Sequence, residues 1–107
     1  MPAVKLMVLY PPPKDVQAFE RVYLDEHVPM VVKKLAGKTK LVATKVQSSP
    51  QGKPAFHRIA EVHFPSLEAL QACAASAGGK ETLAHAAKIS TGGPPVLLIA
   101  EEQTLTF

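Results

Sequence analysis

The sequence predicts an α+β protein, a four-stranded antiparallel sheet with two helical segments on one face in the order βαββαβ. Three observations carry this reading. Short apolar runs bounded by proline or glycine occur four times, two stretches between them show helical spacing, and the strands fall as one, then two, then one around those stretches. With right-handed crossovers this order gives the split βαβ, or ferredoxin-like, arrangement.

Ala3 to Tyr10 is a continuous apolar, β-branched-rich run stopped by Pro11, Pro12 and Pro13, which predicts a strand covered on both faces. Lys14 and Asp15 then open a segment in which Val16, Phe19, Val22, Tyr23, Met30 and Leu35 recur at helical spacing up to Gly37. Pro29 lies inside it, so a bend is expected there, with non-helical geometry favoured at Val28. Leu41 to Gln47 and Ala55 to Phe64 read as strands joined by the Ser48 to Gly52 loop. Ser66 is positioned to cap a helix through Ala74, because its hydroxyl can accept from an orphan backbone amide. Gly78 and Gly79 predict an interruption before a shorter helix, Glu81 to Ile89. After Gly92 to Pro95, Val96 to Glu101 is the last strand.

With 107 residues the chain holds one core, so residues 1–107 are expected to form a single domain. A 47% hydrophobic, 20% charged composition excludes disordered and collagen-like classes. Lone Cys73 excludes an intrachain disulfide and paired-cysteine zinc or thioredoxin-like chemistry, and it points to a reducing, cytoplasmic setting; the thiol reads as buried and inert. Met1 to Tyr10 does not have the form of a signal peptide, and no window approaches the roughly 18 apolar residues of a membrane span. The net charge of +3 is mild, and no aromatic residues interleave with the lysines, so no nucleic-acid partner is expected.

Both sides of the first and last strands are apolar. An antiparallel sheet wetted on one face alternates apolar with polar, so a second layer must cover the face opposite the helices. No segment of the chain remains to supply it. A second copy packed sheet on sheet would, which predicts a homodimer enclosing a cavity.

Three features carry candidate chemistry. His27 follows Tyr23 by four residues and Phe19 by eight, on the buried helix face just before the proline bend. Its imidazole suits acid/base work or a hydrogen bond to a bound oxygen ligand; the alternative is local pairing with Asp25, Glu26 or backbone. On the third strand, His57, Ile59, Glu61 and His63 share one face, predicted to look into the intersubunit cavity, and a carboxylate buried there needs a partner or a raised pKa. A lysine or histidine paired with Glu61 is the structural alternative. Glu61 and His57 lie about 13 Å apart along a strand, too far for His57, Glu61 and His63 to share one metal ion; a two-His-one-carboxylate iron site would need His27 as third ligand, a weak signal, and no metal site is expected. Tyr10 either bonds a ligand or lids the core. The AGGKET string at Ala77 to Thr82 lacks phosphate-loop spacing and reads as a helix break; His85 reads as a surface or interhelical residue.

Beyond these readings, MVLYPPPKDVQAFERVYLDEHVPMVVKKLAG, AEVHFPSLEALQACAASAGGKETLAHAAKI and GGPPVLLIAEE together resemble the EthD family, named from a protein of ethyl tert-butyl ether degradation, within the dimeric α+β barrel superfamily. The most specific element is F-x-x-x-Y-x-x-x-H-x-P at Phe19, Tyr23, His27 and Pro29. The resemblance implies a ferredoxin-like subunit, a homodimer and a cavity between sheet and helices. Similar superfamily members include cofactor-free monooxygenases, polyketide cyclases, lactone isomerases and haem-degrading enzymes, so the fold implies a pocket and leaves the reaction open. Carried over by position, His27 and Tyr23 are the family-like site residues, with Glu61 next; His63 stands where an aromatic or aliphatic residue is more usual and makes the pocket more polar. The expected function is binding of a small oxygenated organic molecule in an apolar pocket, in catabolism, with His27 as acid/base or hydrogen-bonding group and no cofactor required. The alternative is a non-catalytic metabolite-binding or auxiliary homodimer.

Overall fold

Proline, glycine and capping residues set the ends of the elements. The structure is a computed structural model describing residues 3–107. Its strands are β1 (Val4–Tyr10), β2 (Lys40–Lys45), β3 (Arg58–Phe64) and β4 (Val96–Glu101). Its helices are α1 (Val16–Val22), α2 (Val28–Lys34), α3 (Leu67–Ala75) and α4 (Ala77–Ile89), with a π-helical turn, Tyr23–His27, between α1 and α2. The strand order is β2-β3-β1-β4 with every pairing antiparallel. This is the α+β, ferredoxin-like βαββαβ fold.

The helices pack on one face of the sheet through two adjoining clusters. Val4, Val62 and Phe64 meet Val31, Leu35, Leu70 and Cys73, while Val8, Tyr10 and Ala60 meet Phe19, Tyr23, Ala86 and Ile89. These strand residues alternate along β1 and β3, as a two-residue period requires. Burial in the first cluster also pushes the Cys73 thiol up.

On the opposite face the register sets Met7 between Glu61 and Leu98, Leu9 between Ile59 and Val96, and Lys5 between His63 and Ala100. This face is apolar on its β4 side and carries Lys5, Glu61, His63 and Lys40 elsewhere: Lys5 pairs with Glu61, and lies 3.8 Å from Glu102. Strand β4 is open on both sides, with Leu97 and Ile99 as exposed as Val96 and Leu98.

Two local expectations are corrected. Gly78 and Gly79 do not interrupt a helix, since α4 begins at Ala77 and runs through both. The break is Ser76, extended at ψ 161°, whose hydroxyl donates to Cys73 O and accepts from Gly79 N, ending α3 and capping α4 together. The glycines serve close packing instead, because a Cβ on Gly78 would strike the Lys34 carbonyl and one on Gly79 the Cys73 carbonyl. The second correction concerns Pro29. The irregularity falls upstream of it, as the π turn Tyr23–His27, and Val28 stays helical at φ −60°, ψ −46° with its N–H on Tyr23 O. Pro29, which has no N–H to donate, stands in the first turn of the helix that follows, where that donor is least missed.

Candidate functional site

The π turn builds the site. Phe19, Tyr23 and His27 stand four residues apart along one helical face, and their rings stack in sequence with centroids 5.5 Å and then 5.9 Å apart. Tyr10, at the end of β1, sets its ring edge-on to all three, at 5.4, 5.5 and 6.3 Å. Such edge and offset contacts bring the positive ring rim to the negative face of its neighbour. The cluster is closed to solvent, with Tyr10 at 0% and His27 at 4% exposure.

Two hydrogen bonds lead outward from this interior. The Tyr10 hydroxyl lies 3.2 Å from His27 Nε2. His27 Nδ1 lies 2.9 Å from Nδ1 of His85 on α4. The two imidazoles are 14° from parallel with centroids 5.1 Å apart, the geometry of rings meeting edge to edge, nitrogen to nitrogen. Burial, reinforced by the neighbouring His85, lowers His27 to about 4, so the ring is neutral near pH 7. Burial likewise raises the Tyr10 hydroxyl well above its ordinary value, with Tyr23 adding to it.

His85 opens onto a cleft of about 420 Å³ between α1 and α4. Ala18, Phe19, Val22 and Ile89 form its apolar wall, and Lys14, Asp15, Glu26 and Lys88 its charged rim. The volume suits a small organic molecule.

A second network locks the aromatic stack from behind. Glu20 on α1 accepts from both Arg58 Nε at 3.0 Å and Arg58 Nη2 at 2.6 Å, and contacts His57 Nε2 at 3.0 Å. The Arg58 guanidinium sits 5.0 Å from the Tyr23 ring centroid, a cation–π contact. Held first by Arg58 and then by His57, the Glu20 carboxyl falls to about 2.

Among the described residues, no group of three or more His, Cys, Asp or Glu could hold a metal ion. No helix among them is long and apolar enough to cross a membrane.

Comparison with known proteins names the fold's lineage. The EthD domain family matches residues 11–90. This chain belongs to the EthD family. The crystal structure of an EthD family protein from Bacillus halodurans is 33% identical, with 94% of this chain and 99% of that one aligned at a TM-score of 0.87. An EthD-like protein from Ralstonia eutropha is 28% identical, covering 94% and 92% at a TM-score of 0.72. A curated protein of Rhodococcus erythropolis, described as an uncharacterized 11.0 kDa protein in the thcB-thcC intergenic region, is 28% identical over 94% of this chain and 97% of its own length. Two further structures share the fold alone: a dimeric ferredoxin-like protein from Jannaschia, 14% identical over 94% and 98% at TM-score 0.66, and SnoaB, a cofactor-independent oxygenase from Streptomyces nogalater, 10% identical over 100% and 97% at TM-score 0.62.

Within this EthD chain the residues singled out from sequence divide between two places. Tyr10, Tyr23 and His27 meet between sheet and helices. Glu61 and His63 lie on the opposite face, where Lys5 pairs with Glu61 and His63 Nδ1 is 3.7 Å from Glu102. They do not share one chamber with His27, because β1 and β3 point alternate side chains through the sheet. His57 is corrected outright: it precedes β3 and turns to Glu20 and to the Phe19 ring at 5.6 Å rather than joining Glu61. His85 is the interhelical residue that the sequence offers as one alternative, but its link to His27, and the Glu20 and Arg58 pair, do not follow from residue spacing. For His85 a signal existed, since it lies three residues after Thr82 and four before Ile89, both buried along α4.

Proposed function

We propose that this EthD protein is a homodimer that binds a small oxygenated organic molecule in the cleft between α1 and α4 of each subunit, in a catabolic, cytoplasmic role. The chemistry is of the cofactor-independent oxygenase, isomerase or cyclase type, and the reading calls on no cofactor. One observation carries it: the buried line Tyr10, His27, His85 delivers a polar group to an otherwise apolar cleft wall. The aromatic Tyr23 holds His27 in plane for that task. Glu61 and His63 belong to the dimer half of the proposal, where they and Lys5 would lie between two apolar sheets as a neutralised polar group. The exposed Val96 and Leu98 on the same face support a covering subunit, as do fold relatives described as dimeric.

Thermal-shift screening of small carbonyl, phenolic and lactone compounds tests the ligand. A true ligand at a hundred times its Kd stabilises by about 2.7 kcal/mol. Ala18→Trp, which fills the cleft, should abolish the shift. If no compound stabilises the protein, or Ala18→Trp leaves the shift intact, the cleft is not the site. The second reading, a non-catalytic metabolite-binding dimer of a degradation pathway, is favoured by the enclosure of His27, which does not itself line the cleft. Turnover of a bound compound separates the two.

A further inference from the structure

Hydrogen-bond accounting along the buried line orders its protons. The Tyr10 hydroxyl is fully enclosed and has His27 Nε2 as its partner among the described residues. A buried hydroxyl hydrogen without an acceptor is costly, so Tyr10 donates and His27 Nε2 accepts. A neutral imidazole carries one proton, and His27 therefore carries it on Nδ1. That N–H points at His85 Nδ1, which must accept. With Nδ1 accepting, the His85 ring carries its proton on Nε2. No described residue pairs with that nitrogen; it is not a buried, unsatisfied atom, and its ring lines the cleft.

We infer that His85 Nε2–H is a hydrogen-bond donor presented to the cleft, oriented through His27 by Tyr10, and that the ligand it receives is a carbonyl or phenolic compound bound through its oxygen. This rests on the proposed function and deepens it. All donors run in one direction, Tyr10 to His27 to His85 to ligand, so each bond polarises the next. A donor at that point stabilises negative charge on the ligand oxygen, as an enolate or phenolate would carry. It also means that in this proton order His85 offers the cleft no lone pair at Nε2, so it does not take a proton from the ligand. His27 is a positioning residue, since it touches His85 and not the cleft.

The test reads the nitrogens directly. Long-range proton–nitrogen correlation spectra of the 15N-labelled protein near neutral pH, assigned with His27→Gln and His85→Gln, should show His27 protonated on Nδ1 and His85 on Nε2. The reverse pattern overturns the inference. In Tyr10→Phe the enclosed donor is gone and His27 should lose its single tautomer; an unchanged spectrum denies Tyr10 its ordering role. For the ligand half the probe is 4-nitrophenol, whose absorbance reports its ionisation. It should bind enriched in the phenolate form, and about tenfold more weakly to His85→Phe. Equal binding to both proteins overturns the assignment of His85 as donor. Expected tautomers with no dye bound overturn the ligand half and leave the proton order standing, whereas the proposed function falls only if the thermal-shift screen also yields no ligand of the cleft, so the two failures are distinguishable.

Discussion

Acidification should weaken this protein in a window set by His27. The unfolded chain protonates this imidazole near its ordinary value of 6.5, whereas the folded protein resists until about 4. Between those values the unfolded state binds more protons, so stability rises with pH across the window and is lost as pH falls through it. Each pH unit inside the window is worth about 1.4 kcal/mol, and the whole window about 3 kcal/mol. Glu20 acts lower: its carboxyl is depressed to about 2 from 4.5, so the stability it contributes is complete above about pH 4.5 and drains away below it. Urea unfolding at closely spaced pH values, at one fixed protein concentration, reads both windows. In His27→Gln the upper slope should vanish while the lower persists, whatever the variant's absolute stability. A wild type flat across the upper window, or a variant with the same slope there, would refute the neutral, enclosed imidazole on which the proton order depends.

Glu20→Ala strips the bidentate partner from the enclosed Arg58 and should cost about 2–3 kcal/mol by denaturation, with the chain remaining folded. Gly79→Ala drives a methyl into the Cys73 carbonyl and should lose about 2 kcal/mol or more, while Gly37→Ala, strained only by its φ of 89°, should lose about 1 kcal/mol; equal losses would contradict the close approach of α3 to α4. Ser76→Ala removes a single cap shared by two helices and should lower stability by about 1 kcal/mol in the same assay. Leu98→Lys, on the face opposite the helices, should convert a dimer to monomers in sedimentation; a wild type that is already monomeric at micromolar concentration would refute the dimer.

Local patterning made the strands legible because each is an apolar run with a breaker at its edge. Val96–Glu101 appears where Pro95 predicts it, whereas β3 starts at Arg58 rather than Ala55; His57 still bonds through its backbone to Tyr10 and Val46, while its side chain turns to Glu20. The depth of His27 was legible too, from its four-residue spacing to Tyr23 and Phe19. Gly78 and Gly79 misled because glycine marks either a helix break or a close contact, and only the approach of Cys73 and Lys34 carbonyls decides between them.

The order of elements, the face on which the helices pack and the burial of Tyr23 and His27 were thus determined by the sequence alone, since each depends on residues a few positions apart, whereas for Tyr10 the sequence allows either a ligand contact or a lid over the core. Which groups those side chains meet was decided only in three dimensions. His27 finds His85 across 58 residues and Glu20 finds Arg58 across 38, separations over which no periodicity carries information. The same alternation that buries His27 sends Glu61 and His63 through the sheet to its far side, and it is the fold, not the motif, that gives His85 the place at the cleft.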